Sequence, residues 1–167
     1  MTPARLVTTA LGIGHLRPAP GTWGSAAALA AGLAINHWLG FPVLAVATVA
    51  VTLVGVAAIR ADLAQRRDGD TDPSDIVIDE VAGQWLSLCF PAAAFWWRGM
   101  DIVWPGWVAA FLFFRLFDIW KPWAVGRADR RGDALGVMLD DLWAGLYAGI
   151  ATAVAAAAYH LPLILLK

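Results

Sequence analysis

Charged positions in this chain are bunched, and the stretches between them have no polar face. Residues 18 to 59 contain no Asp, Glu, Lys or Arg, a run of 42. Residues 142 to 166 give a second run of 25, residues 81 to 97 one of 17, and residues 102 to 114 one of 13. A helix on the surface of a soluble globule carries charge along its outer side. Helices that lack such a side fit lipid as the solvent, and about 20 predominantly apolar residues cross a bilayer. The longest run holds two helices, near Thr22–Leu39 and Val43–Ala61, broken at Gly40-Phe41-Pro42. Others fall near Ile78–Trp97, Val103–Trp120 and Asp141–Leu165. Pro91 and Pro105 interrupt the third and fourth, which predicts kinked or tilted spans, or a re-entrant pair. The pattern reads as an all-α integral membrane bundle of four to five hydrophobic helices, a single domain over residues 1–167. A buried soluble bundle is the competing reading, and the uncharged lengths weigh against it.

Composition agrees. The chain is 60% apolar and 15% charged, against roughly 45–50% and about 25% for soluble domains. A net charge of -1 gives no basis for binding nucleic acid, and the single cysteine, Cys89, excludes an intrachain disulfide and any CxxC motif. Residues 60 to 80 and 115 to 141 each hold ten of the 25 charges. With the N-terminus inside, nine of the twelve basic residues fall on the cytoplasmic side: Arg5, Arg17, Arg60, Arg66, Arg67, Lys121, Arg127, Arg130 and Arg131. Arg98 and Lys167 then lie outside. Trp96, Trp97, Trp104 and Trp107 flank the link bearing Arg98 and Asp101, a headgroup-level pattern. Gly145 and Gly149 form a GxxxG step, which reads either as a close helix approach, as in a homo-oligomer, or as an Ala-rich helix that carries glycine by composition.

Four segments carry candidate chemistry. In the first, Asp72 to Gly83, Pro73 predicts a helix starting just after it, with Asp75 and Asp79 on one face and Glu80 beside them. Acids at a helix start favour its dipole, but Asp79 and Glu80 enter an apolar segment, where ionised carboxylates need a cation or donor. In the second, Arg115, Asp118 and Lys121 are spaced by three and form one polar stripe, ended by Pro122. The stripe reads either as a self-satisfied ion-pair ladder or as a phosphate-binding group beside a metal ligand. In the third, Asp140 and Asp141 open the last apolar helix, where capping accounts for one of them. In the fourth, a Gly/Pro-rich loop with His15, Arg17, Thr22 and Ser25 precedes the first apolar helix. It reads as a capped turn or as an anion site. Carboxylates this close repel unless a cation joins them. Oxygen ligands without a Cys or His cluster point to Mg²⁺.

Four blocks in this order resemble the phosphatidylglycerophosphatase A family. They are Pro20-Gly21-Thr22-Trp23-Gly24-Ser25, Asp72-Pro73 through Asp79-Glu80 and Gly83, Phe114-Arg115-Leu116-Phe117-Asp118 with Lys121-Pro122-Trp123, and Gly136-Val137-Met138-Leu139-Asp140-Asp141 with Ala144-Gly145. Ala124 stands where the family usually has Pro, and Asp133-Ala134-Leu135 where a Gly-Gly step is common. The resemblance implies a multi-pass inner-membrane enzyme of phospholipid synthesis. Such an enzyme hydrolyses phosphatidylglycerophosphate to phosphatidylglycerol and inorganic phosphate, with Mg²⁺, on the cytoplasmic side. Carried over by residue, it implies Asp79, Glu80, Asp118, Asp140 and Asp141 as metal ligands. Asp79, Glu80, Asp118, Arg115 and Lys121 would be catalytic. His15, Arg17, Thr22, Ser25, Arg115 and Lys121 would bind phosphate. Asp75 falls outside the ligand set. The alternatives are a phosphatase for another lipid phosphate, a small ion or proton transporter, and a non-catalytic scaffold.

Overall fold

The computed structural model describes residues 2–66, 70 and 73–165, with side chains as far as residue 160. Arg67, Asp72 and Lys167 lie outside the described residues, and so do their expected roles. Among the described residues the chain is helical throughout, with seven α-helices and one 3-10 turn. Five are long: α2 (Pro20–Leu39), α3 (Phe41–Leu63), α4 (Ile78–Trp96), α5 (Gly106–Trp120) and α7 (Ala134–Leu165). Two are short, α1 (Pro3–Thr8) and α6 (Ala124–Asp129), and the 3-10 turn covers Ile13–His15. By length and composition, α3 and α7 are apolar enough to cross a membrane. Much of their surface is apolar and uncovered, including Val46, Val49 and Leu53 on α3 and Val154 on α7.

Each long helix begins or ends where its sequence demands. Pro20 and Pro42 sit in the first turns of α2 and α3, where a missing N–H costs nothing. Gly40, at φ +83, makes the turn between them and presses on the Trp96 ring. Pro91 lies inside α4 without ending it, and Pro105 caps α5 rather than interrupting it. Neither Thr22 nor Ser25 caps α2: its N-cap is Ala19, and the Ser25 hydroxyl donates back to the Gly21 carbonyl at 2.8 Å.

The start of α4 agrees with the apolar run but not with a helix beginning just after Pro73, and the start of α7 differs from expectation. The stretch after Pro73 is a turn, with the Ile76 N–H donating to the Pro73 carbonyl, and α4 begins only at Ile78. Val77 stays outside the helix, at φ -142 and ψ 9, because its N–H pairs with the Thr8 carbonyl at 2.8 Å and its side chain packs on Gly24. Asp75 therefore does not share a face with Asp79. It pairs with Arg66 at 2.7 Å and Arg5 at 2.9 Å, while Arg66 also holds Asp62. Burial alone would raise the Asp75 pKa, and the two guanidiniums more than offset it, so its carboxyl lies below the usual range. The last helix starts seven residues before Asp141. Asp133 accepts from the Gly136 N–H at 2.7 Å and so serves as its cap, which puts Asp140 and Asp141 inside a formed helix.

The bundle is organised around α4, which contacts α2, α3, α5 and α7. Its crossing with α7 is glycine on glycine: a Cβ on Gly145 would lie 2.3 Å from the Gly83 carbonyl oxygen, and one on Gly83 would lie 2.5 Å from the Asp141 carbonyl oxygen. Gly149 meets the Phe90 ring in the same way. The GxxxG step is thus used within the chain, against α4. These close approaches fix the directions of the helices. Gly21, Gly24 and Gly32 of α2 meet Glu80, Val77 and Leu88 in parallel with α4, and α7 runs parallel as well. By contrast, α5 runs antiparallel, with Gly106 near Pro91 and Phe114 near Gly83. The starts of α2, α4 and α7 and the end of α5 therefore meet at one end of the bundle.

Filling the crossing should damage the fold. Gly145→Val is expected to lower the detergent melting temperature by an amount equivalent to about 1–3 kcal/mol, as overpacking does. Gly106→Ala, whose Cβ would meet nothing nearer than 3.6 Å, should leave it unchanged or slightly raised. Equal melting temperatures for wild type and Gly145→Val would contradict the packing described.

Candidate active site

At the shared end lies a pocket of about 340 Å³, whose lining includes Thr22, Ser74, Asp79, Glu80, Arg115, Asp118, Lys121, Asp140 and Asp141. Three backbone devices bring these together. The Gly83–Gly145 crossing lies one turn beyond Asp79 and Asp141, and helical side chains lean back toward the N-terminus, so both carboxylates project into the space before the crossing. Gly21 lets α2 approach: a Cβ there would lie 2.2 Å from Glu80 Oε1 and 3.4 Å from an Arg115 nitrogen. Ser25, fully buried, accepts from Arg115 Nη1 at 3.2 Å and so ties α5 to α2.

The carboxylates divide into two groups. Asp79, Glu80 and Asp141 each offer an oxygen, and these atoms lie within 4.8 Å of one another. Asp79 Oδ1, Glu80 Oε2 and Asp141 Oδ1 are buried and accept no hydrogen bond from the protein. Asp79 and Asp141 are only 7% and 3% exposed. Buried anionic acceptors left unpaired are costly, and three within one site fit a cation with oxygen ligands. The other two acids are engaged. Asp118 pairs with Arg115 across one helical turn. Asp140 accepts from Lys121 Nζ at 3.1 Å through Oδ2 and from the Asp141 N–H at 3.0 Å through Oδ1. Of the five acids expected to hold metal, the structure thus gathers three with unused oxygens and gives two to the bases.

Lys121 leaves the expected stripe. Its backbone is left-handed, φ 51 and ψ 51, which ends α5 and turns the side chain toward Asp140 and Asp129. Burial works against its charge, but the two carboxylates outweigh this and hold its pKa above the usual value. Arg115 also lines the pocket, and its Nε is buried without an acceptor.

Of the residues expected to bind phosphate, Thr22, Arg115 and Lys121 line the pocket, and Ser25 lies behind Arg115. Arg17 is exposed and donates to Ser74 at 3.4 Å, next to the lining. His15 is exposed on the 3-10 turn, apart from the lining residues. The sequence reading missed Asp129 and Ser74. Ser74 could have been found from its place between Pro73 and Asp79. Asp129 had no such signal, because the six-residue α6 is too short to read by periodicity.

Comparison with known proteins identifies the family. Residues 6–156 match the model of the family described as Phosphatidylglycerophosphatase A. Phosphatidylglycerophosphatase A of Haemophilus influenzae is 32% identical over 90% of this chain and 86% of its own length. Its Escherichia coli namesake is 30% identical over 86% of this chain and 78% of its own length. A Bacteroides thetaiotaomicron protein named "Putative phosphatidylinositol-3-phosphatase" is 36% identical over 90% of this chain and 91% of its own length. No solved structure matches. The chain belongs to the phosphatidylglycerophosphatase A family.

Crowded, unpartnered carboxylates should cost stability when no cation is present. Asp141→Asn and Asp79→Asn are expected to raise the detergent melting temperature in excess chelator, since each removes one like charge and adds a donor. Wild type melting higher than both variants in chelator would show that the trio is internally satisfied.

Proposed function

We propose that this member of the family is a phosphoric monoester hydrolase of the bacterial inner membrane. It removes the terminal phosphate of phosphatidylglycerophosphate on the cytoplasmic side, leaving phosphatidylglycerol. The observation that carries this reading is the conjunction of three unpartnered buried carboxylate oxygens with Arg115 and Lys121 in one pocket. The names of two relatives supply the substrate.

Asp79, Glu80 and Asp141 would hold Mg²⁺, with Asp118 and Asp140 behind them. When bound, Mg²⁺ supplies positive charge beside the phosphoryl oxygens and makes a bound water more acidic. The remaining work belongs to the chain. Arg115, held by Asp118 and Ser25, and Lys121, held by Asp140, offset charge on the phosphoryl oxygens as it grows. Asp79 or Glu80 accepts a proton from the attacking water. The P–O bond to the glycerol carbon chain breaks, and the leaving alkoxide takes a proton from solvent. The membrane reading rests on the uncovered apolar sides of α3 and α7 and on exposed indoles at both ends. Trp120, Trp123 and Trp143 lie near the site, and Trp38, Trp97 and Trp104 at the opposite end. Between them α2 has 20 residues, about 30 Å, the thickness of a hydrocarbon core. The Bacteroides relative's name supports a second reading, in which another lipid phosphomonoester is the substrate.

Phosphate release from phosphatidylglycerophosphate by detergent-purified protein tests this. Release should stop with chelator and return with Mg²⁺. Asp79→Asn and Asp141→Asn should abolish it, and Arg115→Lys should lower kcat by about 10²–10³-fold, the usual cost of a lost charge-stabilising donor. Phosphatidylinositol 3-phosphate, assayed in parallel, separates the two readings by the ratio of kcat/KM. Folded wild-type protein that releases phosphate from neither lipid would remove both.

A further inference from the structure

We propose that Asp129 is a positioning residue whose task is to keep the Lys121 ammonium out of the cation site. The inference rests on the metal reading above. Lys121 lines the same pocket as Asp79, Glu80 and Asp141, which offer three buried oxygens without a protein donor. A lysine ammonium is a compact charge with three donors on a flexible four-carbon stem. Released from its restraints in that pocket, it would compete with a metal ion for the trio. Two carboxylates restrain it, Asp140 on α7 and Asp129 at the end of α6.

The local fold is shaped to deliver the second restraint. Lys121 adopts the left-handed conformation, and the chain then turns back on it: the Val125 N–H donates to the Pro122 carbonyl at 3.0 Å. Gly126 touches the Lys121 carbonyl so closely that a Cβ would lie 2.6 Å from its oxygen. One further turn along α6, Asp129 meets the Lys121 Nζ. Asp129 is not among the residues lining the pocket, so its influence on the site passes through the lysine. Asp140 holds the ammonium from α7, next in sequence to Asp141, and Asp129 supplies the restraint from α6.

The test is a titration of the detergent-purified full chain with Mn²⁺, which takes the same oxygen ligands as Mg²⁺, with free ion read by electron paramagnetic resonance. Asp129→Ala should weaken Mn²⁺ binding about 10- to 100-fold, the usual effect of losing a residue that orients a metal site from behind. Asp129→Glu should retain most of the affinity. The double variant Asp129→Ala with Lys121→Gln should recover the affinity of Lys121→Gln alone, because the competing ammonium is gone. Asp129→Ala binding like wild type would overturn the proposal, and so would a double variant as weak as Asp129→Ala, which would make Asp129 a simple folding contact. Folded wild type that binds no Mn²⁺ would overturn the metal reading itself, and this inference with it.

Discussion

Two helices crossing on glycine set the terms for the whole site. Where Gly83 of α4 meets Gly145 of α7, each backbone lies where a side chain would otherwise be. Asp79 and Asp141 stand one turn before that contact on helices running in parallel, so the close approach is also an approach of carboxylates. Glu80 joins them from the α2 side because Gly21 leaves room for it. A wider crossing, with alanine or valine at these positions, would relieve the repulsion and dissolve the site. The energetic burden is partly met by the starts of α2 and α4, whose partial positive charge faces the same space.

The two bases are arranged so as not to cancel the acids. Arg115 is fixed by Asp118 and Ser25, and Lys121 by Asp140 and Asp129. Each is committed to an acid outside the trio, yet both line the pocket. Had Lys121 or Arg115 paired with Asp141 instead, one fewer oxygen would be left for a ligand. Division of the acids into paired and unpaired sets is what separates this site from an ion-pair ladder.

The five long helices are legible because their apolar runs contain no charge, and their observed bounds lie within a few residues of the expected ones except at the start of α7. There the Asp140-Asp141 pair resembles a cap, whereas the cap is Asp133, seven residues back from Asp140. The three site helices can be named from their acids, but which acids are free cannot. Asp140 and Asp141 are neighbours in sequence and differ only in what faces them. By spacing, Lys121 is the third step of a stripe. Its left-handed backbone is instead set by the packing of α6 against its carbonyl, and α6 is too short to carry a pattern. By spacing, too, Asp75 is a partner of Asp79, but the Thr8 carbonyl draws Val77 out of the helix. Local spacing fixes a side chain's direction only inside an element, and Lys121 and Asp75 lie at or beyond an element's end, whereas Asp140 and Asp141 lie inside α7 and are told apart only by tertiary contacts.

The charge of the pocket bears on what can enter it. Five acids line it against two bases, so with every group ionised it is strongly negative. A phosphomonoester, itself carrying up to two negative charges, would be repelled from such a space. On the proposed function, entry would become favourable once a cation offsets the trio and Arg115 and Lys121 meet the phosphate. The same balance disfavours a site built for neutral headgroups, which would have no use for the bases. It also disfavours one working without a cation, which would leave three buried carboxylates to repel the substrate. On the proposed metal reading, the same balance would have the cation bind before the lipid phosphate.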